Sequence, residues 1–279
     1  MARLLRNNDY LKQIQSDNLL QIIESTESFR TETEQAAQAE MISYLAQRYI
    51  TGEVFTDTTV FDVSATYLGK NLIEYTNLAA FSAATIYTIN QRVTYSGNIY
   101  KSIAGSVAHA WNAAEWTLIC ADKQLYYAKL NANEYNNRTT YVLSDVVWYG
   151  NKTYTAKSES TGNLPTNTTY WTAGSTYSFT AAYPDDTTKW IKGDNRNQLI
   201  VMYLIDITLY HLHSRINPRN VPELRNIRYD GNNATQNGGA IGWLKRVASG
   251  DITADLPSIL PEQGLSIRWG SNAKNTNVY

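Results

Sequence analysis

The chain has 279 residues, with 24 Lys and Arg against 25 Asp and Glu for a formal net charge of -1. That balance gives no whole-chain attraction for nucleic acid or an anionic membrane. One cysteine, Cys120, excludes an intrachain disulfide and any multi-cysteine metal site; it reads as a buried small apolar residue, so stability must come from packed cores and neighbouring subunits.

The length suits two or three small domains better than one large one. No run of about 18 apolar residues occurs, and the start, Met1 to Tyr10, lacks the apolar core of a secretory signal, which predicts a soluble protein not exported by that route. Tyr (21) and Trp (7) far outnumber Phe (5), and rings with a polar tip suit half-exposed surfaces and interfaces.

With Asn8 as N-cap, Leu11, Ile14, Leu19 and Ile22 or Ile23 recur at helical intervals and predict a helix over 9–24. A second helix is expected over 31–49, with Glu32 and Glu34 near its positive end and Ala37, Met41, Leu45 and Tyr49 spaced four apart. The pattern weakens over 54–80, where residues 60–63 suit a short strand and 68–75 suit a helix, and this stretch stays undecided. Two stretches then repeat each other: Tyr87-Thr-Ile-Asn-Gln-Arg-Val-Thr-Tyr95-Ser-Gly-Asn-Ile-Tyr100, followed by Trp116, and Tyr141-Val-Leu-Ser-Asp-Val-Val-Trp-Tyr149-Gly-Asn-Lys-Thr-Tyr154, followed by Trp171. β-Branched and aromatic residues alternate around the Ser96-Gly97-Asn98 and Gly150-Asn151-Lys152 turns, which predicts two copies of a small β hairpin module. A nearly all-apolar helix over 197–213, a short helix opened by Pro222 and running through Tyr229, and a last helix over 239–249 stopped at Gly250 complete the pattern.

The expected fold is therefore α+β. A small helical bundle is built from both ends of the chain, 1–80 and 178–257. A pair of all-β modules, 81–120 and 135–175, is inserted in it, and 258–279 forms a C-terminal arm that is either disordered or laid on another subunit.

The segments Asp206-Ile-Thr-Leu-Tyr-His-Leu-His-Ser-Arg215, Asn220-Val-Pro-Glu-Leu-Arg225, Arg228-Tyr-Asp230, Ala240-Ile-Gly-Trp-Leu-Lys245 and Gly250-Asp-Ile-Thr-Ala-Asp-Leu-Pro257 resemble, in order and spacing, the neck adaptor or head-completion proteins of Mu-like tailed phages. Asp9-Tyr-Leu11, Ala36 to Glu40 and Ser43 to Tyr49 fit the first two helices of that family. The resemblance covers the two ends of the chain and breaks off between Val54 and Trp190 and over 231–238. It implies a homo-oligomeric ring, commonly twelvefold, in the neck of the virion after assembly in the host cytoplasm. The ring would contact the portal protein and tail or other neck proteins, and genomic DNA would pass through it without specific binding. The repeats are similar to small carbohydrate-binding modules appended to chitinases. The second copy fits through Thr140-Tyr141, Asp145-Val-Val147, Tyr149 to Ala156, Gly162-Asn-Leu-Pro165 and Trp171; the first lacks the proline and has Gln91 in place of Asp145.

Exposed aromatic rings receive the flat C–H faces of sugars, and Trp111, Trp148 and Tyr149 are the candidate glycan platforms; packing on a neighbouring subunit or module is the competing role of Trp111 and Trp148. Trp116 and Trp171 are expected in the module cores. His211 and His213 lie two apart on a helix and His109 stands in a loop, so no metal site is expected. Asp185, Asp186 and Asp194 read as acidic turns rather than paired catalytic carboxylates. Without a phosphate loop, a nucleophile elbow or a His-Glu-x-x-His motif, the expectation is no enzyme and no cofactor. Arg215, Arg219, Arg225 and Arg228 form the basic concentration, with Lys245 and Arg246, and are expected to contact adjacent subunits or the portal. The rival reading is a carbohydrate-binding adhesin or an accessory module of a glycan-degrading assembly.

Overall fold

A computed structural model describes residues 3–259, except 25, 106, 217, 218, 220 and 232–237. The fold is mixed α and β, with helices at both ends of the chain and several small sheets between them. The helices are α1 (Ser16–Ile22), α2 (Glu27–Leu45), α3 (Thr51–Val54), α4 (Gln198–Ile216), α5 (Glu223–Asp230) and α6 (Gly239–Ser249), preceded by a 3-10 turn, Asn7–Lys12.

One apolar cluster unites the two ends: Tyr10, Leu19 and Ile23 meet Ala37, Met41 and Leu45 of α2, Val201, Leu204, Ile205 and Leu212 of α4, and Ile241, Leu244 and Val247 of α6. α4 is apolar nearly all round because it runs through the middle of this cluster, as its composition predicts. Its first turn is capped by Asn197, whose Oδ1 accepts from the amides of Leu199 and Ile200. α6 ends at Gly250, whose φ of +87° few other residues adopt without strain.

The first expected helix is divided. Asp9 accepts from the Arg6 amide, closing the 3-10 turn two residues earlier than an Asn8 cap would, and α1 begins afresh at Ser16. Asp9 is drawn away from a regular helix by a larger demand: buried Arg196 donates to both its oxygens at 2.7 and 3.1 Å and to the Leu4 carbonyl at 2.7 Å, while also pairing with Asp194. α2 starts a turn ahead of expectation, and Glu34, expected near the helix start, is a buried acceptor for Arg3 and for the Tyr10 hydroxyl.

The undecided stretch is a third copy of the module, split in two places by the other two copies. Strand Leu72–Tyr75 pairs antiparallel with Gln124–Ala128, and that strand pairs with Trp190–Lys192. The registers Leu72↔Tyr127, Ile73↔Tyr126 and Tyr75↔Gln124 reproduce Arg92↔Lys101, Val93↔Tyr100 and Tyr95↔Asn98 in the first repeat. Val146↔Thr155, Val147↔Tyr154 and Tyr149↔Lys152 repeat them in the second. The first repeat occupies the hairpin turn of the split module, and the second follows its Ala128. The helical part is accordingly smaller than expected, since 58–75 and 178–192 belong to the split module.

Each copy closes around the same three rings. Phe61, Tyr67 and Trp190, then Phe81, Tyr87 and Trp116, then Tyr135, Tyr141 and Trp171, each give one stacked pair and edge contacts to the tryptophan. The middle tyrosine hydroxyl accepts at 2.7 Å from the amide of Asp62, Ser82 or Asn136, five residues before it. Lys70, Asn90 and Ser144 occupy matching turn positions at φ of 67°, 69° and 74°. Cores this small lean on large aromatic rings because few other residues bury enough area.

Candidate functional site

Alternation along each hairpin gives a module two faces. The front carries Ile73, Tyr75 and Tyr126 in the split module, Val93, Tyr95 and Tyr100 in the first repeat, and Val147, Tyr149 and Tyr154 in the second. The split module turns its reverse side towards the helical body, where Arg6 pairs with Glu74 at 2.5 Å. Its front is covered by the reverse of the first repeat: Ile99 and Cys120 enter the cluster of Tyr75, Tyr126 and Trp190. Asp185 takes both Arg92, at 2.8 Å, and Lys101, at 2.9 Å, and the Arg92 guanidinium lies 3.6 Å over the Tyr183 ring. Burial alone would raise the Asp185 pKa, but the hydrogen bonds from Lys101 and Arg92 outweigh it and hold the carboxyl below its usual range. Burial also pushes the Tyr75 and Tyr126 hydroxyls up, as an apolar lid should.

Among the described residues the front of the first repeat has no such cover. Trp111, half-buried, stacks on Tyr95 at 4.0 Å and on Trp116 at 5.2 Å. Tyr95 remains 36% exposed and Leu118, paired with Tyr100, 56% exposed. Of the expected sugar platforms, Trp111 thus shares an open aromatic surface whose other parts, Tyr95 and Leu118, were not foreseen.

Trp148 corrects the expectation. It is 2% exposed, on the reverse face, beneath the Lys70 ammonium at 4.7 Å and beside Gly69 and Leu130, which leaves no ring face for a sugar. Its neighbour in sequence, Tyr149, is half-buried on the opposite face against Tyr135 and Tyr154, and its hydroxyl lies 3.5 Å from the Ser258 carbonyl. Burial pushes the Tyr135 hydroxyl up to about 12. Trp116 and Trp171 are buried at the module cores, the latter donating from Nε1 to the Asn163 carbonyl at 2.9 Å.

A cleft of about 980 Å³ separates the helical body, the split module and the second repeat, lined among others by Glu53, Lys70, Trp148, Tyr149 and Asn195. Glu53 of α3 is 4% exposed in its side chain; Lys70 lies 3.6 Å from one oxygen and also pairs with Glu134, while among the described residues the other oxygen and Trp148 Nε1 have no side-chain partner. Burial raises the Glu53 pKa, with Lys70 pulling it the other way.

The expected arginine cluster divides. Arg228 donates to Gln13 Oε1 at 2.7 Å and approaches Asp206 of its own chain at 3.5 Å. Arg225 reaches the Gln13 carbonyl at 3.5 Å, and its buried Nη1 has no partner among the described residues. Arg215 lies 3.5 Å over the Phe29 ring, and Arg219 is exposed. Desolvation raises the Asp206 pKa, and Arg228 counters it.

Asp186 accepts from the Thr188 amide and hydroxyl within its own turn, and Asp194 holds Arg196. The three aspartates thus sit in three separate structural roles. His109 faces Glu115 at 3.0 Å, His211 faces Glu40 at 2.8 Å, and His213 contacts the Leu209 carbonyl. Among the described residues no group of three His, Cys, Asp or Glu side chains could hold a metal ion, and no helix is long and apolar enough to cross a membrane.

No family model matches this sequence, and no curated protein matches it.

Proposed function

We propose that the chain is a virion structural protein, a subunit of the head-to-tail connector ring that joins the portal to the tail and lets DNA pass. The observation that carries this reading is the union of the two chain ends in one helical core while the nested modules branch from it between Phe55 and Trp190. A helical body of that size gains stability from subunit contacts, and closed rings use one head-to-tail interface repeated. The expected resemblance lies in those same helices, including the Asp206-to-Arg215 and Arg228-to-Asp230 segments that pack Arg228 against Asp206. Cryo-electron microscopy of the native particle tests it: density for this chain in a ring beneath the portal is expected, and its absence from the neck would sink the reading.

The alternative, a carbohydrate-binding adhesin or accessory module, keeps one feature in its favour, the Tyr95–Trp111 surface. A monomer retarded in chitin affinity gels would favour it.

A further inference from the structure

The three modules differ in what lies on their fronts, and the difference follows a stacking rule. The split module's front is covered by the reverse face of another copy, through Ile99 and Cys120 on its tyrosines and the Asp185 pairs with Arg92 and Lys101. The first repeat has the same front, with the same hairpin tyrosines, and among the described residues no other module lies on it. The second repeat's reverse face is free at one end only: Trp148 is covered by Gly69, Lys70 and Leu130, whereas Val146 is 49% exposed beside the apolar turn of Val142 and Leu143.

The residues at the two unpaired surfaces change together relative to the filled contact. By register Val146 and Thr155 stand where the first repeat has Arg92 and Lys101. Counting back from the core tryptophans, Trp111 stands where the split module has Asp185. The filled contact matches one carboxylate to two cations; the unpaired surfaces match an indole to a valine and a threonine. An exposed valine facing an exposed aromatic–aliphatic patch gains from mutual burial, whereas either alone in water gains nothing. Among the described residues of one chain these surfaces do not meet, since Tyr95, Leu118 and Val146 remain exposed.

We propose that the front of the first repeat, Tyr95, Tyr100, Trp111 and Leu118, receives the Val146 end of the second repeat's reverse face from a second copy of this chain. The module stack then continues from subunit to subunit. The contact is heterologous, so it closes into a ring or runs on as a filament according to the rotation. It rests on the ring reading and adds the surface that would pair the subunits.

Leu118→Arg and Val146→Arg test it, since both positions are exposed and neither substitution touches a core. Light scattering on the full chain, with thermal melts confirming the fold, is expected to show assembly for the original chain and a single chain for each variant. An equimolar mixture of the variants, which retains one good interface per pair, is expected to give a dimer of twice the single-chain mass. Assembly of either variant like the original chain, a mixture that stays at single-chain mass, or an original chain monomeric at every concentration would each overturn the contact. So would loss of chitin-bead binding in Leu118→Arg alone with assembly unchanged, which would give the surface to sugar. Normal incorporation of Val146→Arg in the particle neck would overturn the module contact while leaving the ring reading standing.

Discussion

The split module and the second repeat share a ring triad, a strand register and a turn, yet differ in how far their cores reach. The split module's cluster takes in Ile99 and Cys120 from a neighbour and sits against the helical body through Glu74 and Arg6. The second repeat's core of Tyr141, Val147, Ala156 and Trp171 is its own. A module's sequence thus defines its inner core, whereas what it can pass on to the rest of the chain depends on which of its faces is covered.

The strongest test of that difference is tryptophan truncation. Trp190→Ala and Trp171→Ala each remove a fully buried ring and should cost about 3–5 kcal/mol locally. Their footprints in hydrogen exchange mass spectrometry should differ. Trp190→Ala is expected to loosen both the split module and the first repeat, including the strand Trp116–Ala121; Trp171→Ala should be confined to 133–176. Equal, module-limited footprints would remove the distinction.

Much of the helical body was legible in the sequence, because α4 and α6 carry their own apolar pattern and stops. The division of the first helix was not, since it depends on Arg196, 187 residues from Asp9. The third module stayed hidden for a related reason: its hairpin strands are separated by an entire copy, so no local window contains both. A signal was present in the Phe61-to-Tyr67 interval, which equals those from Phe81 to Tyr87 and from Tyr135 to Tyr141, followed by Leu72-Ile-Glu-Tyr75. Trp148 misled because alternation places it opposite Tyr149, and which face is covered is a property of the neighbouring module.

The charged clasp between the split module and the first repeat gives the next effect. Asp185→Asn weakens two ion pairs at a site where the carboxylate is only 17% exposed, and a loss of about 1–3 kcal/mol is expected. Because the folded pKa is depressed, this contribution is present above the unfolded value near about 3.9 and is lost as pH falls through the folded value. Protection of Ile99 and Cys120 should therefore fall in acid in the original chain and be less pH-dependent in the variant. An identical acid response in both would mean that the clasp does not set it.

Smaller and more uniform is the hydroxyl of the middle tyrosine. Tyr67→Phe, Tyr87→Phe and Tyr141→Phe each strip one amide partner in the same geometry, for about 1 kcal/mol apiece by urea unfolding. Similar values would show that the inner cores are energetically alike and that the modules differ only in their outer faces. A spread above about 2 kcal/mol would contradict that.

The smallest expected effect lies at the junction of the helical body with the second repeat. Glu53 has a raised folded pKa, so the folded state takes up its proton at higher pH than the unfolded chain does. Stability at this group therefore declines as pH rises from the unfolded value near about 4.3 through the folded value, and the cost is fully present above it. Glu53→Gln removes that cost together with the attraction to Lys70. At pH 7 these nearly cancel, with a net change within about 1 kcal/mol and on the stabilising side, because desolvation of a carboxylate that is 4% exposed is the larger influence. Near pH 4 the two proteins should converge. Lys70→Met acts in the opposite sense, leaving Glu53 buried without its cation and Trp148 without its ammonium, and should destabilise more at pH 7 than at pH 4. Urea unfolding at the two pH values separates the cases: a Glu53→Gln loss above about 1 kcal/mol at both would show that the carboxylate serves as a hydrogen-bond acceptor and not as a buried charge.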